Sequence, residues 1–221
     1  MHKKIKQIKK SKVVPVDPAL VDRVPPGQIV TERFPILHEG EVPKYELEQW
    51  SLKVFGEVNE EKIFTHEDIM EMPQNKVVND IHCVTRWSKL DNEWEGVLFQ
   101  DLLSYLDVKP EAKHVMIYGD YDYDANIPLS ELQRDGIILA HKHGGEDLTA
   151  KHGWPLRLVV PQLYFWKSVK WIRAIEFMKE DRHGYWEVRG FHNEAEPFKE
   201  QRFSGEDLEI PEDEWEKKEY D

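Results

Sequence analysis

The stretch IHCVTRWS, residues 81–88, contains the only cysteine of the chain, Cys83. It lies between a predicted strand, Lys76 to Ile81, and a polar loop that is predicted to close at residues 91–96. A thiolate is a soft metal ligand, and a cation such as Arg86, three positions later, favours the thiolate form. The stretch therefore predicts either a metal-ligating Cys83 at the end of a strand or a buried cysteine that packs as a small hydrophobic side chain.

The spacing of possible ligands limits which metal site can form. A site built only from cysteines of one chain is excluded, because there is no second cysteine. A metal at Cys83 then needs a cofactor that brings the other ligands, or His82 together with the distant His141 and His143. The last two would share one face of a strand, but no third ligand follows at a diagnostic spacing. A cofactor-borne metal, a zinc site and a plain turn at residues 141–146 all stay open.

Further motifs follow the cysteine segment along the chain. They are HCVTRWS at 82–88, WEGV at 94–97, HGWPLRLVVP at 152–161, YFWKSVKW at 164–171 and GYWE at 184–187. Together they resemble the sulfite oxidase family of molybdopterin-dependent oxidoreductases, which includes sulfite oxidase and the catalytic subunit of the periplasmic protein-methionine-sulfoxide reductase. The resemblance implies that Cys83 ligates molybdenum while a pterin dithiolene supplies two more sulfurs.

The resemblance also implies a fold and a domain organisation. The expected fold class is α+β, with a mixed, mainly antiparallel β core of the sulfite oxidase type and peripheral helices. Residues 31–203 would form the molybdopterin-binding oxidoreductase domain. Residues 1–30 are expected to be a mobile, basic and proline-rich arm, and residues 204–221 an acidic C-terminal extension.

The site residues follow from the same resemblance. Cys83 and Arg86 are the catalytic candidates, with Arg86 placing positive charge near an anionic substrate or a developing oxyanion. The candidates for binding the cofactor are Arg33, His38, His82, Asp120, His152, Arg157, Ser168, Val169 and Lys170. Guanidinium, ammonium and backbone N–H groups of this kind hold the anionic phosphate of a pterin. The alternatives are surface positions for Arg33 and His38, and structural roles for His82 and Arg86. For Arg157 the alternative is a charge at a strand edge, and for Lys170 a solvated side chain.

The implied chemistry is oxygen-atom transfer to or from a small sulfur- or nitrogen-centred substrate, such as sulfite, a sulfoxide, an N-oxide or another small oxyanion. The sequence does not choose among these substrates. Electrons require an external redox protein, because the chain has no C-x-x-C-H haem motif and no glycine-rich dinucleotide fingerprint. A non-catalytic pterin-binding or interaction protein of the same fold is the alternative.

Composition and charge argue against several functional classes and cellular locations. The formal net charge of −13 argues against a nucleic-acid binder, which needs a basic surface. No stretch approaches the roughly 18 apolar residues of a membrane helix, and the lysine-rich start resembles neither a signal peptide nor a twin-arginine leader. We therefore expect a cytoplasmic protein. A monomer is expected because the chain is too short for the additional dimerisation domain of animal sulfite oxidases.

Periodicity and turn residues predict the elements around these motifs. Strands are expected at 50–58, 62–64, 76–81, 114–118, 137–140, 153–161 and 171–177, and helices at 65–70, 97–106 and from 130. Asp120 to Asp124 is expected to be a solvated acidic turn. Residues 65–68 are expected to form the capped start of the first helix. Tyr164 and Trp166 are expected to pack in the core.

Overall fold

The structure is a computed structural model that describes residues 17–204 of the 221-residue chain. The first sixteen residues of the expected arm lie outside the described residues. So do residues 205–221 of the expected acidic extension.

Short strands dominate the described part of the chain. They are β1 (Ile29–Val30), β2 (Ser51–Gly56), β3 (Lys62–Thr65), β4 (Asn75–His82), β5 (Trp87–Leu98), β6 (His114–Tyr118), β7 (Asp124–Pro128), β8 (Ile138–His143), β9 (Glu146–Asp147), β10 (Arg157–Val159) and β11 (Ala174–Met178). The α-helices are α1 (His66–Glu71), α2 (Phe99–Leu103) and α3 (Leu129–Leu132). Nothing helical within residues 17–204 has the length and apolar character needed to span a bilayer.

The strands form two sheets. The first has the order β1-β5-β8-β10, with β4 also paired to β5 and β9 to β8. The second has the order β3-β2-β11-β6-β7. The β1–β5 and β2–β11 pairs are parallel, and the other strand pairs within residues 17–204 are antiparallel. This is the predicted α+β class with a mixed, mainly antiparallel core and peripheral helices.

One apolar core joins the two sheets. Val54, Ile117 and Ile175 from the second sheet belong to the same buried cluster as Leu139 and Leu158 from the first. Burial of each such side chain contributes about 1.5–3 kcal/mol, so the cluster fixes the two sheets against each other. Loops that leave either sheet are therefore held at defined positions.

The prediction of a polar loop that closes at residues 91–96 is wrong, because this stretch lies within β5. Its buried polar side chains misled the prediction. Asn92 is buried, and its Nδ2 donates to the backbone oxygens of Asn79 at 3.2 Å and Lys89 at 2.7 Å. A buried amide with its hydrogen bonds made is compatible with a strand interior.

The helices are only partly as expected. Thr65 caps α1 through a capping box, in which its Oγ1 accepts from the Asp68 N–H at 3.1 Å, as the sequence predicted. The helix expected at 97–106 shrinks to α2, since Val97 and Leu98 pair with β8 instead. Tertiary pairing there overrides the helical spacing of the apolar residues.

The acidic stretch 120–124 is a turn, as predicted, but Asp124 also begins a strand that the sequence did not reveal. Ala125 and Ile127 of this strand, β7, are fully buried. Tyr121 and Asp122 are exposed and have positive φ angles of 59° and 57°.

Residues 23–30, which the sequence assigns to the mobile arm, pack on the sheets. Val24 is buried, and Gln28 donates from Nε2 to the Cys83 backbone oxygen at 3.0 Å. The next two residues form β1, which pairs in parallel with the start of β5. Packed structure therefore extends N-terminal to the predicted boundary at residue 31, which itself stays a prediction.

Candidate active site

Cys83 lies in a four-residue link between β4 and β5. The Cys83 N–H donates to the Trp87 oxygen at 2.9 Å, and the Arg86 N–H donates to the Cys83 oxygen at 3.0 Å. Arg86 closes this turn with a positive φ of 72°. The Thr85 hydroxyl donates to the Cys83 sulfur at 3.1 Å. The link therefore fixes both the backbone and the sulfur of the cysteine.

A cavity extends from Cys83 to two cationic side chains on other elements. Its lining includes six of the eleven predicted site residues: His38, Cys83, His152, Arg157, Ser168 and Lys170. They come from the irregular segment 31–46, the β4–β5 link, the short 3-10 turn Ala150–His152, β10 and the loop before β11. The cysteine is therefore not enclosed in the core away from the predicted anion-binding residues.

Arg157 is buried on β10 and uses its guanidinium on backbone oxygens. Nη1 donates to the His152 oxygen at 2.7 Å, and Nη2 donates to the Ser168 oxygen at 3.1 Å. Burial lowers the pKa of Arg157 to about 9. The Ser168 hydroxyl accepts the Val160 N–H at 2.9 Å, which fixes the loop that meets β10.

Lys170 lies next to Arg157 in the cavity wall. Its Nζ donates to the Leu37 oxygen at 2.7 Å and to the Lys151 oxygen at 2.9 Å. Burial, and then the charge of Arg157, lower the pKa of Lys170 to about 6. Gly153 permits this approach, because a Cβ there would lie 3.0 Å from the Arg157 Cβ and 3.1 Å from the Lys170 Cγ.

Within residues 17–204, neither Arg157 nor Lys170 forms an ion pair with a carboxylate. Arg157 is buried and Lys170 is half-buried, so holding both side chains in their charged forms is unfavourable unless an anion joins them. Their guanidinium and ammonium groups are the donors that phosphate prefers. With a cysteine sulfur in the same cavity, this donor set fits a cofactor that carries both a metal and a phosphate.

The irregular segment before β2 forms one wall of the cavity. The Phe34 ring stacks on His152 at 4.3 Å, and His38 packs edge-on against Trp171 at 5.7 Å. Burial lowers the pKa of both histidines, so each is neutral over a wider pH range. They suit hydrogen bonding to a heteroaromatic ligand more than charge pairing.

The other five predicted residues do not line the cavity. Arg33 is exposed, and Asp120 accepts a hydrogen bond from the Tyr45 hydroxyl. The Val169 N–H, expected to contact the cofactor, donates to the Lys167 oxygen at 3.2 Å.

His82 and Arg86 flank Cys83 but point elsewhere. His82 is buried, its Nδ1 is 2.8 Å from the Ser88 Oγ, and burial lowers its pKa to about 4. The Arg86 Nη1 donates to the Gly27 oxygen at 3.3 Å.

Sequence reasoning missed several aromatic residues of the wall. Trp166, which was expected to pack in the core, also lines the cavity, as do Trp186 and Phe191. Trp186 belongs to the quoted GYWE motif, so the signal was present but had no assigned role. The expected core position of Tyr164 agrees with its complete burial.

The structure does not assemble the zinc site. His141 Nε2 is 3.0 Å from Gln74 Oε1, and His143 Nε2 is 3.1 Å from Asn92 Oδ1. No three His, Cys, Asp or Glu side chains of residues 17–204 are grouped so that they could hold a metal ion. A metal at Cys83 therefore has to arrive with other ligands.

Comparison with known proteins identifies the family. The family described as oxidoreductase molybdopterin binding domain matches residues 39–186, which include both Cys83 and the two cavity cations. The chain belongs to this family. It is therefore an oxidoreductase that binds the molybdopterin cofactor, and the predicted resemblance is confirmed.

The relatives within this family differ in similarity and length. The chain is 46% identical over 183 residues to the uncharacterized oxidoreductase YuiH of Bacillus subtilis (strain 168), covering 82% of this chain and 92% of that protein. It is 28% identical to the protein-methionine-sulfoxide reductase catalytic subunit MsrP of Campylobacter jejuni, covering 65% of this chain and 54% of that one. It is 27% identical to the mitochondrial sulfite oxidase of Drosophila melanogaster, covering 72% and 32%.

A solved structure supports the fold. The sulfane dehydrogenase SoxCD from Paracoccus pantotrophus superposes with a TM-score of 0.61 at 24% identity, over 66% of this chain and 42% of that one. This similarity confirms the sulfite oxidase type of α+β fold.

Proposed function

We propose that Cys83 ligates the molybdenum of the cofactor and that Arg157 and Lys170 bind the phosphate of its pterin. The reaction would be oxygen-atom transfer to or from a small sulfur- or nitrogen-centred substrate. One observation carries this proposal: the Cys83 sulfur and two neighbouring basic side chains, Arg157 and Lys170, line the same cavity, and neither basic group has a carboxylate partner in residues 17–204.

The bound cofactor supplies the redox centre at which an oxygen atom is exchanged with the substrate. The protein orients the groups around it. The Thr85 hydroxyl donates to the Cys83 sulfur, and Gly153 leaves room for the Arg157 and Lys170 side chains to approach each other. His38 and His152 would contact the pterin from the segment 31–46 side of the cavity.

Arg86 keeps its proposed catalytic role through charge instead of contact. Its guanidinium donates to the Gly27 oxygen, and its backbone N–H donates to the Cys83 oxygen within the same turn. A nearby fixed cation stabilises negative charge that develops during the reaction.

An external redox protein, a monomeric enzyme and a cytoplasmic location complete the proposal. These three points stay predictions of the sequence.

Metal and pterin analysis tests the proposal, using protein made in a host that synthesises the cofactor. About one molybdenum and one pterin per chain are expected. Arg157→Ala should lose pterin during purification, whereas the exposed Lys151→Ala should retain it. Bound zinc in place of molybdenum, or equal pterin occupancy in both variants, would contradict the assignment.

An electron-acceptor assay on the loaded protein separates an enzyme from a pterin carrier. If the loaded protein transfers no oxygen atom to or from any sulfur or nitrogen substrate, the proposed reaction is contradicted. The proposed cofactor site would not be affected by that result.

A further inference from the structure

Three aromatic rings surround the guanidinium of Arg157. Its central carbon, Cζ, lies 4.5 Å from the ring centroid of Phe165, 5.5 Å from that of Trp94 and 5.9 Å from that of Phe34. At such distances an aromatic face attracts a cation, because the π electrons give the face a partial negative charge. We call Phe34, Trp94 and Phe165 the aromatic cage.

The aromatic cage is assembled from three separate parts of the chain. Phe34 comes from the segment 31–46, Trp94 from β5 and Phe165 from the start of a short 3-10 turn. The Phe34 ring centroid is 5.8 Å from that of Trp94 and 6.0 Å from that of Phe165, so the rings also pack on one another. Three distant stretches of sequence therefore converge on one cation.

Two of these rings belong to motifs that have no other role at the cavity. Trp94 opens the WEGV motif, and Phe165 lies in YFWKSVKW. Trp94 is fully buried, and its Nε1 donates to the Asn79 Oδ1 at 3.0 Å. Since this N–H is the only hydrogen-bond donor of an indole, the face of the ring is what Trp94 offers to Arg157.

Backbone oxygens fix the plane of the guanidinium. Nε, Nη1 and Nη2 of Arg157 donate to the oxygens of Leu158 at 3.5 Å, His152 at 2.7 Å and Ser168 at 3.1 Å. Each Nη carries a second N–H, which has no acceptor among residues 17–204. Because Arg157 lines the cavity, these two N–H groups remain for an anion that enters it.

An aromatic face and a carboxylate would affect this anion in opposite ways. A carboxylate beside the guanidinium would neutralise its charge and compete for the same N–H groups. An aromatic face stabilises the charge without cancelling it. Arg157 is buried and has no carboxylate partner in residues 17–204, so the aromatic cage occupies the place of a counter-ion.

We infer that Phe165, together with Trp94 and Phe34, is a positioning residue for the cofactor: the aromatic cage holds the Arg157 guanidinium charged and available to the cofactor phosphate. This inference rests on the proposed function and adds residues that act through Arg157. Phe165 is the ring nearest to Arg157, so it should contribute most.

Stepwise fluorination of the Phe165 ring tests the inference. Fluorine withdraws π density from the ring face while the shape and the apolar character of the ring change little, so the attraction for a cation falls and the packing remains. Phe165 is only partly buried, whereas Trp94 is fully buried, so Phe165 is the position to alter. Mono-, di-, tri- and pentafluorinated phenylalanine would replace Phe165 in protein made in a host that synthesises the cofactor.

The readout is the rate at which loaded protein releases its pterin into cofactor-free buffer, followed by the fluorescence of the oxidised pterin. This rate does not depend on turnover. It should rise with each added fluorine and reach about ten times the wild-type rate with the pentafluorinated ring. Phe165→Leu should release pterin about as fast as the pentafluorinated protein, whereas Phe165→Tyr keeps an aromatic face and should stay near the wild-type rate.

Phe55 provides the matched control. The Lys53 Nζ lies over its ring at 4.9 Å from the centroid, but Phe55 does not line the cavity. Fluorination of Phe55 therefore weakens a comparable contact and should leave the release rate unchanged.

A release rate that stays constant across the Phe165 series, or that rises equally in the Phe55 series, would overturn the role of the aromatic cage. Faster release in Phe165→Leu without any effect of fluorination would also overturn it, because the ring would then act through packing alone. The cofactor assignment survives each of these results. Wild-type protein that contains no molybdenum and no pterin would instead contradict the proposed function, and this inference with it.

Discussion

Cys83 is held by its own turn independently of any metal. Its N–H pairs with Trp87 at the start of β5, its oxygen with Arg86 and Gln28, and its sulfur with Thr85. Removing the thiol should therefore disturb function far more than folding.

Cys83→Ser tests this separation. The hydroxyl occupies a similar volume and can still pair with Thr85, so the free energy of unfolding should change by less than about 1.5 kcal/mol. Turnover should fall by about a hundredfold or more, because the metal loses a protein ligand. Urea unfolding and dye-linked turnover measure the two effects, and wild-type turnover in the variant would remove Cys83 from its proposed role.

Lys170 makes stability depend on pH. Its pKa in the folded protein is about 6, against 10.5 for a free lysine, so between these values the unfolded chain binds the extra proton. The unfolding free energy of the cofactor-free protein should therefore rise with pH above about 6. Urea unfolding across this range should show a shallower rise in Lys170→Met than in the wild type. The exposed Lys151→Met should keep the wild-type slope, and an unchanged slope in Lys170→Met would contradict the buried position.

The sequence predicted the cavity residues best within the motifs that were quoted from it. Arg157, Ser168 and Lys170 lie in the motifs quoted from the sequence, and all three line the cavity. The sequence could not show that Val169 and Asp120 would lie outside the cavity lining. Their groups are used by Lys167 and Tyr45, contacts that depend on three-dimensional packing and not on local pattern.

At the scale of elements, β5 positions the site and was the element most poorly predicted. Its polar residues concealed the alternation of a strand, because Ser88 and Asn92 are buried with hydrogen-bond partners. Elements whose apolar pattern matched their burial, such as β6, were predicted with correct bounds. Hydrogen bonds from neighbouring strands allow polar side chains to be buried, and the periodicity of a sequence does not reveal these partners.

At Gly96, strands β5 and β8 approach so closely that a side chain would not fit. A Cβ at this position would lie 2.0 Å from the Leu139 backbone oxygen, beside an irregularity in the ladder between Glu95 and Gly96. Gly96→Ala should lower the unfolding free energy by about 1–3 kcal/mol or more, since the backbone must shift. Gly144→Ala is the control: nothing lies within 4 Å, and only the cost of its φ of 62° remains. Urea unfolding compares them, and a smaller loss for Gly96→Ala than for Gly144→Ala would contradict the close approach.

At the scale of the whole molecule, the cavity lies where both sheets contribute. Cys83 links two strands of the first sheet, Arg157 lies on β10 of the same sheet, and Lys170 precedes β11 of the second. The segment 31–46 joins them through the Lys170 hydrogen bond to Leu37. A cofactor bound by these residues would contact every part of the fold that the apolar core already connects.

Cofactor binding should therefore stabilise the domain as one unit. A ligand that binds only the folded state adds about 4 kcal/mol at about 1,000 times its Kd. For a domain of this size that corresponds to a rise in Tm of roughly 10 °C. Scanning calorimetry of loaded and cofactor-free protein should show one transition in each, shifted upward on loading. The shift should be smaller in protein carrying Arg157→Ala, because one of the two cations that meet the phosphate is gone. A second, unshifted transition in the loaded protein would mean that part of the domain unfolds independently of the cavity, and the two sheets would then not act as a single cofactor-binding unit.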